Sequence, residues 1–358
     1  MKRRHFVRNS ALASLSTFSI LGNRKSATAA DASVIGEAEH RYEVNHGWAQ
    51  LPEKYTWQPT HNVAVDRDGF LYVIHEGKLD QPDHPAIFVF DPDGKFVRAF
   101  GQELQGGGHG LELRSEGDEQ FIYVTAYLTL KWIAKLTLDG EMVWKKAAPM
   151  ASGVYKEGEG QNHERVFARD RFQPTNFAFL PDGDFLLADG YGAHRIHRYD
   201  KDGNWKSVMG APGKGDGEFN LPHGLWIDDR AEGEPLIVVA DRANGRVQWL
   251  TLEGKHVRTD DGFILPANVD RLGDLLLVPD LSARITLIDG DGQLIHLAED
   301  QAWRDEVLKD NKAMRRNPAG WKDGRFVHPH DACFAPNGDI YVAEWVATGR
   351  ISKMRKVG

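Results

Sequence analysis

QPTNFAFLPDGDFLLADGYGAHRIHRYDKDGNWKSVMG, residues 173–210, holds one complete structural phrase. A loop runs into a short strand, an Asp-Gly pair reverses the chain, and a second strand (FLLAD) follows. A third strand (RIHRY), another Asp-Gly turn and a fourth strand complete it. Alternation of apolar and polar residues at period two, broken by Asp-Gly pairs, marks antiparallel hairpins, because glycine takes the positive φ that tight turns require. The phrase recurs in copies that begin near residues 58, 105, 172, 219, 263 and 326. A spacing of about 45 residues is the size of a four-stranded propeller blade. Six copies predict an all-β, six-bladed β-propeller forming a single domain over 31–358. The last copy has only three strands, and HRYEVNHGWAQL (40–51) is expected to supply the fourth and close the ring.

The first thirty residues read differently. MKRRHFVRNS is basic, ALASLSTFSILG is apolar, and Ala27-Thr28-Ala29 has the small-residue pattern of a cleavage site. This predicts an export signal at 1–30, of twin-arginine type from Arg3-Arg4, and a periplasmic or extracellular location. The signal carries six Lys/Arg and no acid, so its removal takes the formal charge from −8 to −14. An acidic chain argues against nucleic acid as a partner, and no later segment is apolar enough to span a membrane. Cys333 is the sole cysteine, so no intrachain disulfide can form. A monomer acting on a small-molecule or peptide-derived substrate is expected.

Aligning the copies on their first strands puts His61, His109, Thr175, His223, Ala267 and His330 at one position. Inner strands of a propeller ring its central channel. His109, His223 and His330, on alternate copies, should therefore stand about a third of a turn apart and share one metal ion. Neutral imidazole suits zinc, and three protein ligands leave a coordination position open. His61 and His328 read as supporting or structural. A second ring is expected where each second strand ends: Glu76, Tyr127, Tyr191, Arg242, Asp280 and Trp345. There Tyr191 could act as a base and Arg242 could hold a carboxylate or a developing oxyanion. Insertions at 149–171 and 300–325, the latter with a short helix near 303–314, could wall the site. The turns DRDG, DPDG, DKDG and DGDG lack the later ligands of an EF-hand and read as hairpin turns.

PTN, DGY, LPHG, ADRANGR and PHD, in that order and spacing, resemble NHL-repeat propellers, and among them the peptidyl-α-hydroxyglycine α-amidating lyases. The resemblance implies zinc on His109, His223 and His330, a catalytic Tyr191 and Arg242, and a structural calcium on Asp331 with the main-chain carbonyls of Val63 and Leu111. The implied reaction splits a peptidyl α-hydroxyglycine into a peptide amide and glyoxylate. Glu76 stands where the family has a second, substrate-binding arginine, and His328 where it has methionine. The family's disulfides and its copper monooxygenase partner domain are not expected here. Glu76 as a substrate contact would favour a substrate without a carboxylate, or a cationic one. Two other functions fit the same motifs: a non-catalytic NHL-propeller module binding protein, peptide or glycan, and a metal-dependent hydrolase.

Overall fold

The computed structural model describes residues 33–358; the proposed export signal lies outside the described residues. Six antiparallel sheets form the blades; in five of them the strands follow in simple sequence order, and the sixth takes its outer strands from the N-terminal segment. Their inner strands are Thr60–Val65, Gly108–Glu116, Phe177–Phe179, Pro222–Asp228, Asp270–Leu272 and Pro329–Phe334. Tyr42–Asn45 pairs antiparallel with Arg350–Lys356 and completes blade six, so the ring closes through the expected segment. Val34–Ile35 adds a short fifth strand outside it.

Period-two alternation explains why the blades stack. In blade one Leu71 and Val73 face the apolar layer shared with blade six, while Tyr72 and Ile74 face the layer shared with blade two. In blade four Ile237 and Val239 pack toward blade three, and Val238 and Ala240 toward blade five. Each sheet is thus apolar on both faces, and an apolar layer fills every gap around the ring. The Asp-Gly turns are hairpin turns. Asp66 Oδ1 accepts from the amides of Asp68 and Phe70, and Gly69 takes a φ of 87°.

Both insertions are tied to the ring. Within 149–171, Glu159 is buried and takes Lys131 Nζ at 2.9 Å and Arg171 Nη1 at 2.9 Å. The Tyr155 hydroxyl donates to Asp189 at 2.8 Å. The second insertion carries the helix Gln301–Lys312, capped by the Asp300 side chain on the Trp303 amide. Trp303 and Val307 bury against Ala283, Val327 and Val346. Among the described residues, no helix is long and apolar enough to cross a membrane.

Candidate metal centre and pocket

The pairing registers slip where the inner strands of blades two and four carry their histidines, between Gly108 and Leu111 and between Pro222 and Leu225. Blade six slips between Pro329 and Asp331, and blade one between Thr60 and Asn62. A bulge turns a side chain out of the pleat, and here it releases His109, His223, His330 and His61 from the blade interfaces. The histidine in blades two and four is followed by glycine because the neighbouring blade is very close. A Cβ on Gly224 would lie 2.3 Å from Asn268 Cα, and one on Gly110 would lie 2.2 Å from the Thr175 carbonyl oxygen.

Each member of the predicted trio is held by its Nδ1. His109 Nδ1 meets Thr175 O at 3.0 Å, His223 Nδ1 meets Ala267 O at 2.7 Å, and His330 Nδ1 meets His61 O at 2.7 Å. The three carbonyls belong to the residues at the same repeat position in blades three, five and one. A carbonyl oxygen can only accept, so Nδ1 carries the proton and every Nε2 presents a lone pair. Burial, together with neighbouring imidazoles and Arg242, holds all three pKa values well below the usual histidine range, so the rings stay neutral.

His109 Nε2 and His223 Nε2 face each other at 3.2 Å, and His330 Nε2 is buried without a partner. Lone pairs converging in a dry site repel unless a cation lies between them, and this donor set fits a metal. His61 makes a fourth imidazole: its ligand-capable atoms and those of His109 and His330 lie within 4.8 Å of one another. That trio differs from the predicted one, which has His223 in place of His61. The carbonyl tether favours His109, His223 and His330 as the oriented set. His61 instead directs Nε2 to Glu76 Oε2 at 3.4 Å and leaves a buried Nδ1 without a partner.

A step further along the inner strands the axis becomes oxygen-rich. Asn62, Asn176 and Asn268 each have a buried Oδ1 without a partner. Asn268 donates to Asp331 Oδ1 at 2.6 Å, Asn176 to Glu112 Oε1 at 2.9 Å, and the Val63 amide to Asp331 Oδ2 at 2.8 Å. Burial raises the pKa of Asp331 to about 7. Burial and then the Asp331 charge push Glu112 well above the usual carboxylate range. Asn176 belongs to the PTN motif, whereas Glu112, Asn62 and Asn268 are not singled out by the sequence; the folded ring brings Glu112 to Asn176 and Asn268.

The second ring is defined by one repeated backbone hydrogen bond. The amides of Glu76, Tyr127, Tyr191, Arg242, Leu281 and Trp345 donate to the carbonyls of Pro59, Gly107, Gln173, Leu221, Leu265 and His328. Each of these carbonyls lies two residues before the histidine-ring position of its own blade. All six donors line one cavity of about 380 Å³, together with His330. In blade five the position therefore belongs to Leu281 rather than Asp280. Asp280 is buried and accepts from the amides of Ile264, Leu265 and Ser282, which shapes the loop. His328 has a φ of 53° and bonds Leu281 O through Nδ1 at 2.7 Å. Leu221, two residues before His223, has a φ of 67°, so His328 shares a backbone role with it.

Within the cavity the Tyr191 hydroxyl is 3.1 Å from His223 Nε2 and 3.1 Å from Arg242 Nη1. Burial raises the Tyr191 pKa, and Arg242 opposes that rise. Arg242 Nη2 is buried without a partner. Glu76 Oε2 accepts the Tyr127 hydroxyl at 2.6 Å. Burial pushes the Glu76 pKa up, but hydrogen bonds from His61 and Tyr127 and the charge of Arg315 outweigh it and hold the pKa near 2. Since His61 is itself kept neutral by burial, the Tyr127 bond and Arg315 are the firmer causes. The insertions add Arg165 and Phe167 from one side and Lys312 and Arg315 from the other, so they do form walls.

With this geometry in place, similarity to known proteins adds a family context. NHL repeat-containing protein 3 of Mus musculus is 28% identical over 72% of this chain and 78% of its own length. Peptidyl-alpha-hydroxyglycine alpha-amidating lyase 1 of Drosophila melanogaster is 30% identical over 72% of this chain and 47% of its own length. The chain is a homologue of both. Its matches span about half the length of several curated relatives, such as 53% of a probable amidating lyase of Caenorhabditis elegans. No protein-family model matches the chain. Among solved structures, a streptogramin B lyase covers 89% of the chain with a TM-score of 0.53 at 13% identity, which shows the shared propeller fold.

Proposed function

We propose that this protein is an exported, zinc-dependent lyase of the amidating-lyase type, with His109, His223 and His330 as the metal ligands. The observation that carries the reading is the set of three carbonyl-tethered imidazoles presenting lone pairs beside a tyrosine hydroxyl that Arg242 also contacts. Two nitrogens around a tetrahedral zinc ion stand about 3.3 Å apart, close to the 3.2 Å between His109 Nε2 and His223 Nε2. The matching lyase names among the homologues support the same class.

When bound, the metal supplies a Lewis-acid charge that polarises nearby oxygens and favours ionised hydroxyls. Tyr191 as phenolate takes the proton of the substrate's carbinol hydroxyl, and Arg242 offsets the negative charge that develops on that oxygen. The carbon–nitrogen bond then breaks and the aldehyde forms. The proton held by Tyr191 passes to the departing amide nitrogen, so none is consumed. With a peptidyl α-hydroxyglycine the products are a peptide amide and glyoxylate. The buried oxygens of Asp331, Glu112 and the three asparagines suit a hard cation, and calcium is proposed there as a structural ion.

The test pairs metal analysis of the purified protein with glyoxylate release from an α-hydroxyglycine peptide. One zinc per chain and glyoxylate formation are expected, and Tyr191→Phe should lose turnover by at least a hundredfold while keeping its zinc. Zinc without glyoxylate would leave a metal site but remove the lyase assignment.

A further inference from the structure

We propose that the mouth of the pocket is a subsite for a substrate bearing at least two carboxylates, gripped by Arg315 with Lys312 and Arg165. This deepens the catalytic reading of the pocket and rests on it. Glu76 taken alone points the other way, since an acid in the second ring should repel a carboxylate. The structure surrounds that acid with more than its counterweight. Four cationic side chains, Arg165, Arg242, Lys312 and Arg315, line the same cavity as the single carboxylate of Glu76. Four positive charges against one negative leave an excess of three, in a chain whose formal charge is −8.

The cations are also unspent. Arg242 is buried, Lys312 and Arg315 are half-buried and Arg165 is exposed; buried arginines elsewhere are matched to acids, as in Arg350 with Glu344 and Arg246 with Asp241. Among the described residues, none of the four pocket cations has a carboxylate within ion-pair distance. Burial, with mutual repulsion, lowers the pKa of Lys312, the direction expected for positive charges gathered without an anion. Glu76 acts on them only at a distance: its Oε2 bonds Tyr127 at 2.6 Å and lies 3.4 Å from His61.

Arg315 is the best placed to bind. Its guanidinium lies 3.5 Å over the Trp345 ring, and its Nε donates to Trp345 O at 2.9 Å. Its main-chain oxygen accepts from the Ala347 amide at 3.0 Å, which ties the insertion to blade six. A guanidinium held flat by stacking, with one donor committed and four remaining, suits two-pronged recognition of a carboxylate. Three cations beyond the Tyr191–Arg242 pair exceed what one carboxylate needs, and a concave site focuses their field. An acidic small molecule or the acidic end of a peptide meets both conditions.

The test is calorimetric titration of the zinc-loaded full chain with succinate, its monoamide succinamate and the neutral diamide succinamide. Wild type should bind succinate at least tenfold more tightly than succinamide, with succinamate between them and the preference shrinking as salt rises. Arg315→Gln should weaken succinate binding fivefold or more while leaving succinamide within twofold. Lys312→Gln should give a smaller loss of the same kind, with zinc content and melting temperature unchanged in both variants. Equal affinity for succinate and succinamide, or wild-type succinate binding by the Arg315→Gln, Lys312→Gln double variant, overturns the proposal. The readout is independent of turnover. Glyoxylate release without charge preference defeats the subsite alone, and charge preference without glyoxylate supports the subsite while the lyase assignment falls.

Discussion

At the scale of single residues, the site depends on how close neighbouring blades approach. The imidazoles aim at one point because each Nδ1 reaches a carbonyl of the next blade, and in blades two and four only glycine after the histidine leaves room for that neighbour. Gly224→Ala is therefore expected to cost about 1–3 kcal/mol through overpacking against Asn268. It should also lower zinc affinity by an order of magnitude or more, read by competition with a chelator. Unchanged affinity would mean that the His223–Ala267 tether tolerates a shift. The positions of these histidines were legible in the sequence because they recur in phase with a 45-residue repeat. That they approach one another followed from the ring geometry, but the strand bulges that turn them inward were not legible, because period-two patterning does not encode them. Glu112 and Asn268 escaped notice for a related reason: acids and amides are common in any loop-rich sequence, and only the ring closure stacks them on an axis.

At the scale of elements, the informative pieces are the insertions. The composition of 300–325 announced a helix, observed as Gln301–Lys312, but not that Lys312 and Arg315 would reach the pocket. Their placement depends on docking: Trp303 buries its ring and donates Nε1 to Phe326 O at 2.7 Å. Trp303→Ala should remove about 3–5 kcal/mol of packing locally. Because the helix lies outside the blades, the expected signature is faster amide exchange over 301–316 and weaker succinate binding, with the six-bladed core melting within a few degrees of wild type. A collapse of the whole transition would instead make the insertion part of the core. The strands themselves were the most legible part of the molecule, since alternation, Asp-Gly turns and repeat length all agreed. Asp280 shows the limit of that reading. A one-residue offset at a strand end separates a residue that shapes the loop from Leu281, which faces the pocket.

At the scale of the whole molecule, the ring is held by apolar layers between blades and by buried ion pairs within them. Glu344 takes Arg350 Nε at 2.7 Å, Ser352 Oγ at 2.7 Å and the Val327 amide at 2.6 Å. Burial alone would raise its pKa, but Arg350 and then His46 hold it down near 2, against an ordinary value of 4.5. A depressed carboxylate stabilises fully above its unfolded pKa and loses that contribution as pH falls through the folded one. The window is therefore about pH 4.5 down to 2, and the amount is about 3 kcal/mol. Glu344→Gln should be clearly less stable at pH 7, since it strands a buried guanidinium, and the gap to wild type should narrow as pH drops through that window. A gap independent of pH would show that Glu344 acts through shape alone.

The seam of the ring gives the metal centre a mechanical meaning. His330 stands in the last blade, yet its Nδ1 is held by the main chain of His61 in the first, and blade six is itself completed by Tyr42–Asn45 pairing with Arg350–Lys356. An ion bound by His109, His223 and His330 would then clasp the inner strand of blade six, the blade that strand pairing rather than chain continuity completes, to those of blades two and four. Stripping it should loosen that joint before any other, so catalytic competence and the integrity of the circle would fail together.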